Sequence, residues 1–125
     1  MRTIIFLLLS CLPFFGKALD LGVSTAVFQA GEKPYIEVNI EIAGTTITYT
    51  PDATVPEKMT ASAEILIMMR QGEKVANYEK YTISSPLVSV PQSLLDVRRL
   101  VIAPGDYILE VEVLDLQTPA NKKNY

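Results

Sequence analysis

The clearest feature of the chain is a strict alternation of apolar and polar residues over residues 35–42. The apolar side chains there are β-branched and fall on every second position: Ile36, Val38, Ile40 and Ile42. A period of two is typical of a strand with one buried and one hydrated face, whereas a helix would spread these isoleucines around its circumference. Residues 106–115 repeat the pattern, with Tyr107 on the face that includes Val111 and Val113. Both segments are predicted to be strands that give one face to a core.

Weaker patterns predict more strands at residues 19–29, 45–50, 60–70 and 75–84. Segment 60–70 is rich in Ala, Met and Leu, which favour a helix by propensity. Its length, and the turn-like Gln71–Lys74 that follows it, favour a strand leading into a hairpin. Residues 51–58 contain two prolines, Pro51 and Pro56, and are predicted to form a loop.

The second half of the chain contains a long segment without a clear pattern. Residues 86–101 are predicted to be loop-like, with a short helix or turn at residues 93–99. Pro104 and Gly105 have the order that a type II turn requires at its two central positions, so such a turn is predicted from Ala103 to Asp106. Residues 115–125 are polar, and their Asn-Lys-Lys-Asn-Tyr end is predicted to be a turn rather than a chain terminus.

About six or seven short strands joined by turn residues predict an all-β fold, an immunoglobulin-like antiparallel β-sandwich. The disulfide and buried Trp of antibody domains are absent, so strand number and alternation carry this prediction. The strand at residues 107–114 would ordinarily be followed by a hairpin partner that covers its edge. The chain stops where that partner should begin, and we therefore expect a sandwich truncated at its C-terminal end.

The first eighteen residues have a composition of their own. A basic start at Arg2 is followed by an apolar run and by small residues at Gly16 and Ala18. This order predicts a helical signal peptide cleaved between Ala18 and Leu19, so that residues 1–18 are the leader and residues 19–125 the mature domain. The apolar run of about 12 residues is short for a membrane span. The alternatives are a lipoprotein acylated at Cys11 and an uncleaved anchor.

Removing the leader changes the composition. The mature chain has nine basic and fourteen acidic residues, a net charge of −5, and lacks cysteine, because Cys11 is the sole cysteine. The sequence contains no Trp and no His, and the absence of His excludes Ser-His-Asp triads, Cys-His dyads and His-ligated metals. Mild acidity argues against a nucleic-acid partner, and no cofactor is expected. The leader predicts an exported protein, which is periplasmic, associated with the outer membrane or secreted.

Several short segments distributed over the mature chain form a recognisable set: Leu19–Ser24, Phe28, Lys33–Val38, Leu94–Leu100, Pro104–Val111 and Asp115. This set resembles the N-terminal β-domain of bacterial GWxTD-domain proteins. The resemblance implies an exported protein of Bacteroidetes-type bacteria, in which a β-sandwich precedes a mostly helical region with the Gly-Trp-x-Thr-Asp motif. It implies a chain that continues beyond Tyr125. The family has no settled activity, so the resemblance supplies no catalytic residues.

Carboxylates spaced two apart on strands are the first candidates for chemistry: Glu37, Glu41, Glu110 and Glu112. Such pairs project from one face of a sheet and could hold a cation or act as an acid and a base. The alternation itself explains them as the hydrated face of half-exposed strands, which is the reading we prefer. Asp52 and Glu57 are too few for a calcium loop.

Other candidates are weaker. Ser84 and Ser85 could act as nucleophiles only with a lysine, Lys74 or Lys80, as the base, and the spacing does not favour this. A tyrosine platform for sugar or protein binding, an arginine patch and a methionine interface are each possible, but core and rim packing or solvation is the simpler explanation. The residues concerned are Tyr35, Tyr49, Tyr78, Tyr81, Tyr107, Arg70, Arg98, Arg99, Met59, Met68 and Met69.

These observations predict a non-catalytic module for binding or assembly at the bacterial cell envelope. Its partner would be a protein or the downstream region of its own chain, contacted through a strand edge or a sheet face. The alternative is a small secreted protease inhibitor whose loops would be residues 51–58 and 85–96. A catalytic domain is the third and weakest hypothesis.

Overall fold

The computed structural model describes residues 18–125, which form nine β-strands. The strands are β1 (Leu21–Ala30), β2 (Lys33–Ile42), β3 (Thr50–Pro51), β4 (Met59–Thr60), β5 (Ser62–Gln71), β6 (Lys74–Ser84), β7 (Leu94–Val101), β8 (Ile108–Asp115) and β9 (Lys122–Asn124). Of the predicted leader, residues 1–17 and the helix expected there lie outside the described residues. Residues 18–125 contain no helix long and apolar enough to cross a membrane.

All strand pairs are antiparallel and belong to two main sheets. One sheet has the order β1-β2-β7 and the other the order β6-β5-β8-β9, while β3 and β4 form a small separate ladder. The apolar faces of the two sheets enclose one core, as in a β-sandwich. The all-β prediction is therefore confirmed, whereas the immunoglobulin-like subclass stays a prediction.

The core is built from the alternating residues of β2, β5 and β8. Ile42, Ile65 and Val113 are fully buried, and their neighbours in sequence face outwards. The strand predicted at residues 60–70 is confirmed as β5, despite its helix-favouring composition. Neighbours on both sides, β6 and β8, satisfy its backbone and outweigh intrinsic propensity.

Two tight hairpins rely on glycine. Gly31 and Gly72 have φ values of 63° and 61° and occupy the first central position of two-residue turns. A left-handed conformation at that position is strained for residues with a Cβ atom, so glycine fits it without cost. The hairpin predicted at Gln71–Lys74 is confirmed.

The prediction of a loop with a short helix or turn at residues 93–99 is wrong, because residues 94–101 form strand β7 beside β2. The first and last inward residues of β7, Leu94 and Leu100, are buried. The inward positions between them are Asp96 and Arg98, so the polarity of the strand does not follow its burial. A pattern search for an apolar inner face misses such a strand.

Three shorter predictions also need correction. Residues 45–47 form a turn and a bend, and residues 48–49 are irregular rather than a strand, since Thr46 Oγ1 donates to the carbonyl oxygen of Ala43 and stabilises a local turn. Gly105 has φ 155°, far from the value of about 80° that a type II turn needs. Residues 122–124 form β9, a hairpin partner of β8 that was not expected there. Whether the domain is truncated remains a prediction.

Candidate functional site

The outward residues of β7 form an exposed, largely apolar strip on the molecule. We call Leu95, Val97, Arg99 and Val101 the β7 outer surface. Leu95 is 74% exposed, Val101 60% and Val97 50%. Large apolar side chains at alternate positions of an edge strand are the opposite of what a solvated sheet face ordinarily shows. Their grouping marks this strip as the strongest candidate for a binding surface.

The inward residues of β7 explain why the strand has this orientation. The Tyr81 hydroxyl donates to Asp96 Oδ2 at 2.6 Å, and Arg98 Nε lies 3.2 Å from the same oxygen. The Arg98 guanidinium also lies 3.7 Å from the centre of the Tyr81 ring. Burial, and then the hydrogen bond to Asp96, raise the pKa of Tyr81 well above its ordinary value. Polar side chains can face inwards here because each has a partner.

A shallow depression of about 400 Å³ lies beside the β7 outer surface, on the same sheet face. Small side chains on β1, Gly22 and Ser24, leave room next to Asn39 and Glu41 of β2. Leu95 and Val97 form the opposite wall. The depression therefore combines an apolar wall with polar groups and is suited to side chains of a protein partner.

The far end of this face is aromatic. Phe28 and Tyr35 stack with their ring centres 5.3 Å apart. Arg99 lies next to them, with its Nε 3.0 Å from Glu37 Oε2 and its guanidinium 6.0 Å from the Tyr35 ring centre. Aromatic and arginine side chains are enriched where proteins bind each other, which fits the proposal of a binding face.

The edge of β7 presents backbone hydrogen-bonding groups. Ile102 N donates to Pro34 O, so this pair sits at a hydrogen-bonded position of the β2–β7 ladder. Such positions alternate in antiparallel sheets, which directs the N–H and C=O groups of Leu95, Val97 and Arg99 away from β2. Within residues 18–125, β2 is the strand that pairs with β7. Val101 O already accepts a hydrogen bond from Asn77 Nδ2, so the open stretch is residues 95–99.

The strand carboxylates are not brought together. Glu37 and Glu41 lie on the outer face of the three-stranded sheet, and Glu110 and Glu112 on that of the four-stranded sheet. Glu110 Oε2 lies 3.0 Å from Arg70 Nε, and Glu112 Oε1 lies 2.9 Å from Lys122 Nζ. Pairing with basic neighbours fits their interpretation as hydrated sheet faces. No group of three acidic, cysteine or histidine side chains in residues 18–125 is arranged to hold a metal ion.

The serine candidates have structural partners. Ser85 Oγ accepts from Ala61 N at 3.0 Å and donates to Pro86 O at 2.9 Å, while Ser84 Oγ lies 2.8 Å from Ser62 Oγ. Lys80 Nζ is 3.1 Å from Glu64 Oε1. The serine contacts join the beginning of β5 to the end of β6. The structure does not assemble the Ser-Lys pair considered for catalysis.

The remaining aromatic, basic and sulfur candidates are scattered rather than clustered. Tyr49 donates to Gln92 O and Tyr107 to Ala103 O, whereas Tyr78 is 67% exposed on the outer face of the other sheet. Arg70 lies on that same outer face, away from Arg98 and Arg99. Met69 fills the core, as expected; Met59 and Met68 are half-buried.

The loop predicted at residues 51–58 is present at residues 52–58, because Pro51 belongs to β3, and it is ordered by Asp52. Its carboxylate accepts hydrogen bonds from Thr54 Oγ1, Thr54 N and Val55 N, which together lower the pKa of Asp52. Lys58 N donates to Val55 O and closes the loop. The other proposed inhibitory loop, residues 85–96, is interrupted because residues 94–96 belong to β7.

Asp115 is a buried polar residue that the sequence pattern did not single out. It is fully buried, and its carboxylate accepts from Thr48 N at 2.8 Å and Gln117 N at 3.0 Å. Asn121, also buried, accepts from Leu19 N through Oδ1 and donates to Asp115 Oδ2. Thus the beginning of the described chain and the segment before β9 are held together. The sequence did offer one sign of this role: Asp115 continues the series of alternate apolar residues Val111 and Val113 at the end of β8.

Comparisons with known proteins do not place the chain in a family. A scan against protein-family models and a search of curated proteins both gave no match.

Proposed function

We propose that this chain is an exported, non-catalytic β-sandwich module that acts through protein–protein contact in the bacterial cell envelope. The observation that carries the proposal is the β7 outer surface, where Leu95, Val97 and Val101 are exposed on an edge strand. Exposing such side chains to water is unfavourable, and covering them with a partner protein recovers that free energy. The neighbouring depression and the Phe28–Tyr35 stack extend the contact area.

We further propose that the sandwich is immunoglobulin-like. Two sheets with three and four strands fit this class, and Tyr107 adds a second argument. Tyr107 directly precedes β8, and its hydroxyl donates to Ala103 O, four residues upstream, at 2.7 Å. A tyrosine at this corner that bonds back to the backbone is a hallmark of immunoglobulin-like sandwiches.

The resemblance to GWxTD-domain proteins supports the envelope setting, and we propose that the chain is the N-terminal part of such a protein. Reading the gene beyond Tyr125 tests this directly. We expect a mostly helical region that contains Gly-Trp-x-Thr-Asp. A stop codon immediately after Tyr125 would contradict membership of that family.

Site-specific photo-crosslinking in intact cells tests the contact surface. A photoreactive amino acid at Leu95 should give discrete covalent adducts with an envelope protein or with another part of the same chain. The matched control places it at Tyr78, which is similarly exposed on the opposite side of the sandwich. The same adducts from both positions, or none from Leu95, would refute the proposal. Inhibition of a papain-type protease at micromolar concentration would favour the inhibitor alternative instead.

A further inference from the structure

We propose that β7 binds β7 of a second copy of this chain, antiparallel, about a two-fold axis at Val97. The two three-stranded sheets then form one continuous sheet, and the two β7 outer surfaces become neighbours. This inference rests on the proposed function and names the partner as a second copy. Pairing identical edges in this manner gives a closed, symmetric dimer.

The backbone of β7 defines where a second strand can pair. Leu95, Val97 and Arg99 direct their N–H and C=O groups to the open edge, as the β2–β7 register requires. Asn77 already occupies the carbonyl oxygen of Val101 and limits the edge on that side. Val97 is therefore the midpoint of the available stretch. A two-fold axis at Val97 pairs Val97 with itself, and Leu95 with Arg99 of the second copy.

Charge selects this register over its neighbours. A two-fold axis at Asp96 would place two aspartates opposite each other, and an axis at Arg98 would oppose two arginines. The axis at Val97 instead places Asp96 opposite Arg98 of the second copy, on both sides of the axis. Opposite charges facing each other across strands stabilise pairing, whereas like charges oppose it. Leu94 then faces Leu100 of the second copy, so the apolar ends also match.

The charged residues retain capacity for these contacts. Within one copy, Arg98 Nε lies 3.2 Å from Asp96 Oδ2 and its Nη1 lies 3.6 Å from Glu79 Oε1. A guanidinium has five N–H donors and a carboxylate accepts several hydrogen bonds, so each group can bind a further partner. The dimer thus adds to the existing cluster rather than replacing it.

Disulfide trapping tests the register. The mature chain contains no cysteine, so Val97→Cys introduces a single thiol. Facing residues at a hydrogen-bonded antiparallel position lie about 5.5 Å apart between Cα atoms, within the range of a disulfide. We expect the oxidised, exported Val97→Cys protein to run as a covalent dimer. Leu95→Cys is the matched control and should remain monomeric, because it faces Arg99. Equal crosslinking of both variants, or none of Val97→Cys, would overturn the register.

Proline substitution tests the edge without requiring oxidation. Val97→Pro removes one N–H that points away from β2, so the β2–β7 ladder keeps its hydrogen bonds. Val27→Pro is the control on β1, the opposite edge strand, where Ala43 N donates to Asp20 O and the same alternation directs the Val27 N–H outwards. By sedimentation equilibrium we expect dimers for the parent protein and Val27→Pro, and monomers for Val97→Pro. A monomeric parent, or a dimeric Val97→Pro protein, would contradict the inference.

The outcomes separate the two proposals. A monomeric protein that still crosslinks through Leu95 to another envelope protein overturns the dimer and leaves the proposed function standing. A purified dimer that gives no Leu95 adduct of any kind in cells overturns the proposed function, because its contact then does not occur in the envelope. If Val97→Pro fails to fold, the comparison of the two cysteine variants decides the matter.

Discussion

At the residue scale, Asp115 is the position where a single substitution should cost most. Its carboxylate accepts hydrogen bonds from the backbone N–H groups of Thr48, Gln117 and Thr118 in a fully buried position. Asp115→Ala leaves these donors without an acceptor, and each such loss costs roughly 1–3 kcal/mol. We expect the free energy of unfolding, measured by urea denaturation, to fall by about 3 kcal/mol or more.

Asp106→Ala is the matched control for this substitution, because Asp106 is exposed just before β8. Surface changes of this kind ordinarily alter stability by less than about 0.5 kcal/mol. Similar losses for Asp106→Ala and Asp115→Ala would show that the hydrogen bonds of Asp115 do not matter in the way described.

Tyr81 should make stability depend on alkaline pH. Its pKa in the folded chain lies above the ordinary value of about 10, because burial and the bond to Asp96 favour the protonated phenol. The resulting stabilisation is fully present below the unfolded pKa and is lost as pH rises through the folded pKa. Tyr81→Phe should cost about 1 kcal/mol at neutral pH, since the hydrogen bond is lost.

Thermal melting at pH 7 and above pH 10 measures both effects. Between the two pH values, Tm should fall less for Tyr81→Phe than for the parent protein. Tyr78→Phe, which alters an exposed ring, controls for the general effect of losing a phenol. An equal alkaline decrease in the parent and Tyr81→Phe would argue against a role for the Tyr81 hydroxyl.

At the element scale, the sequence predicts a strand well where the apolar residues of its alternating pattern are also the buried ones. β2, β5 and β8 have buried apolar residues at alternate positions, so their faces could be predicted before the fold was known. The faces of β7 could not be predicted, because Asp96 and Arg98 point inwards while the apolar Leu95, Val97 and Val101 point outwards. The partner that makes this possible, Tyr81, belongs to β6 and comes close only in the folded chain. The candidate surface was missed for the same reason.

Gly44 fixes the approach of the chain to the start of β7. A Cβ atom there would lie 2.3 Å from the backbone carbon of Gln92 and 2.7 Å from Ser93 N. Backbone cannot move aside as a flexible side chain can, so Gly44→Ala should displace the start of β7. Overpacking of this kind typically costs about 1–3 kcal/mol. We expect a loss in this range in chemical denaturation.

Gly22→Ala is the matched control on β1. Its added Cβ atom would meet Glu41 Cβ at 3.7 Å, an ordinary contact. Stability should stay the same or rise slightly, because alanine reduces the freedom of the unfolded chain. The two variants being equally destabilised would contradict the close approach at Gly44.

At the scale of the whole molecule, apolar–polar alternation and turn residues were enough to predict an all-β fold, and the two-sheet arrangement of residues 18–125 agrees with that. They could not predict which surfaces stay exposed, since this depends on how β6 and β7, which are edge strands of the two different sheets, contact each other. The small strand β9 was missed because its three residues are polar and exposed. Its pairing depends on the edge that β8 offers rather than on an apolar face.

Processing of the leader gives a prediction for the entire chain. The proposed cleavage after Ala18 would leave Leu19 as the first residue, with its side chain buried and its nitrogen able to donate to Asn121 Oδ1. Mass spectrometry of the exported protein should therefore give the mass of residues 19–125. Replacing Ala18 by a bulky residue should block cleavage and leave the full-length chain in the membrane fraction. A lipid-modified Cys11 as the first residue would instead support the lipoprotein alternative.

The inward polar and outward apolar residues of β7 affect how the chain folds. A slip of one residue against β2 would turn Leu95, Val97 and Val101 into the core and expose Asp96 and Arg98 to water. The same slip would expose Leu94 and Leu100, which are buried in the native register, and would turn Arg99 inwards. Apolar burial therefore discriminates only weakly between the two registers, and the misregistered state competes with the native structure. The Tyr81–Asp96 bond and the stacking of Arg98 on Tyr81 reward the native register. Local frustration at β7 therefore accompanies the exposed apolar strip. We expect the pairing of β7 with β2 in its native register to be the slowest step of refolding.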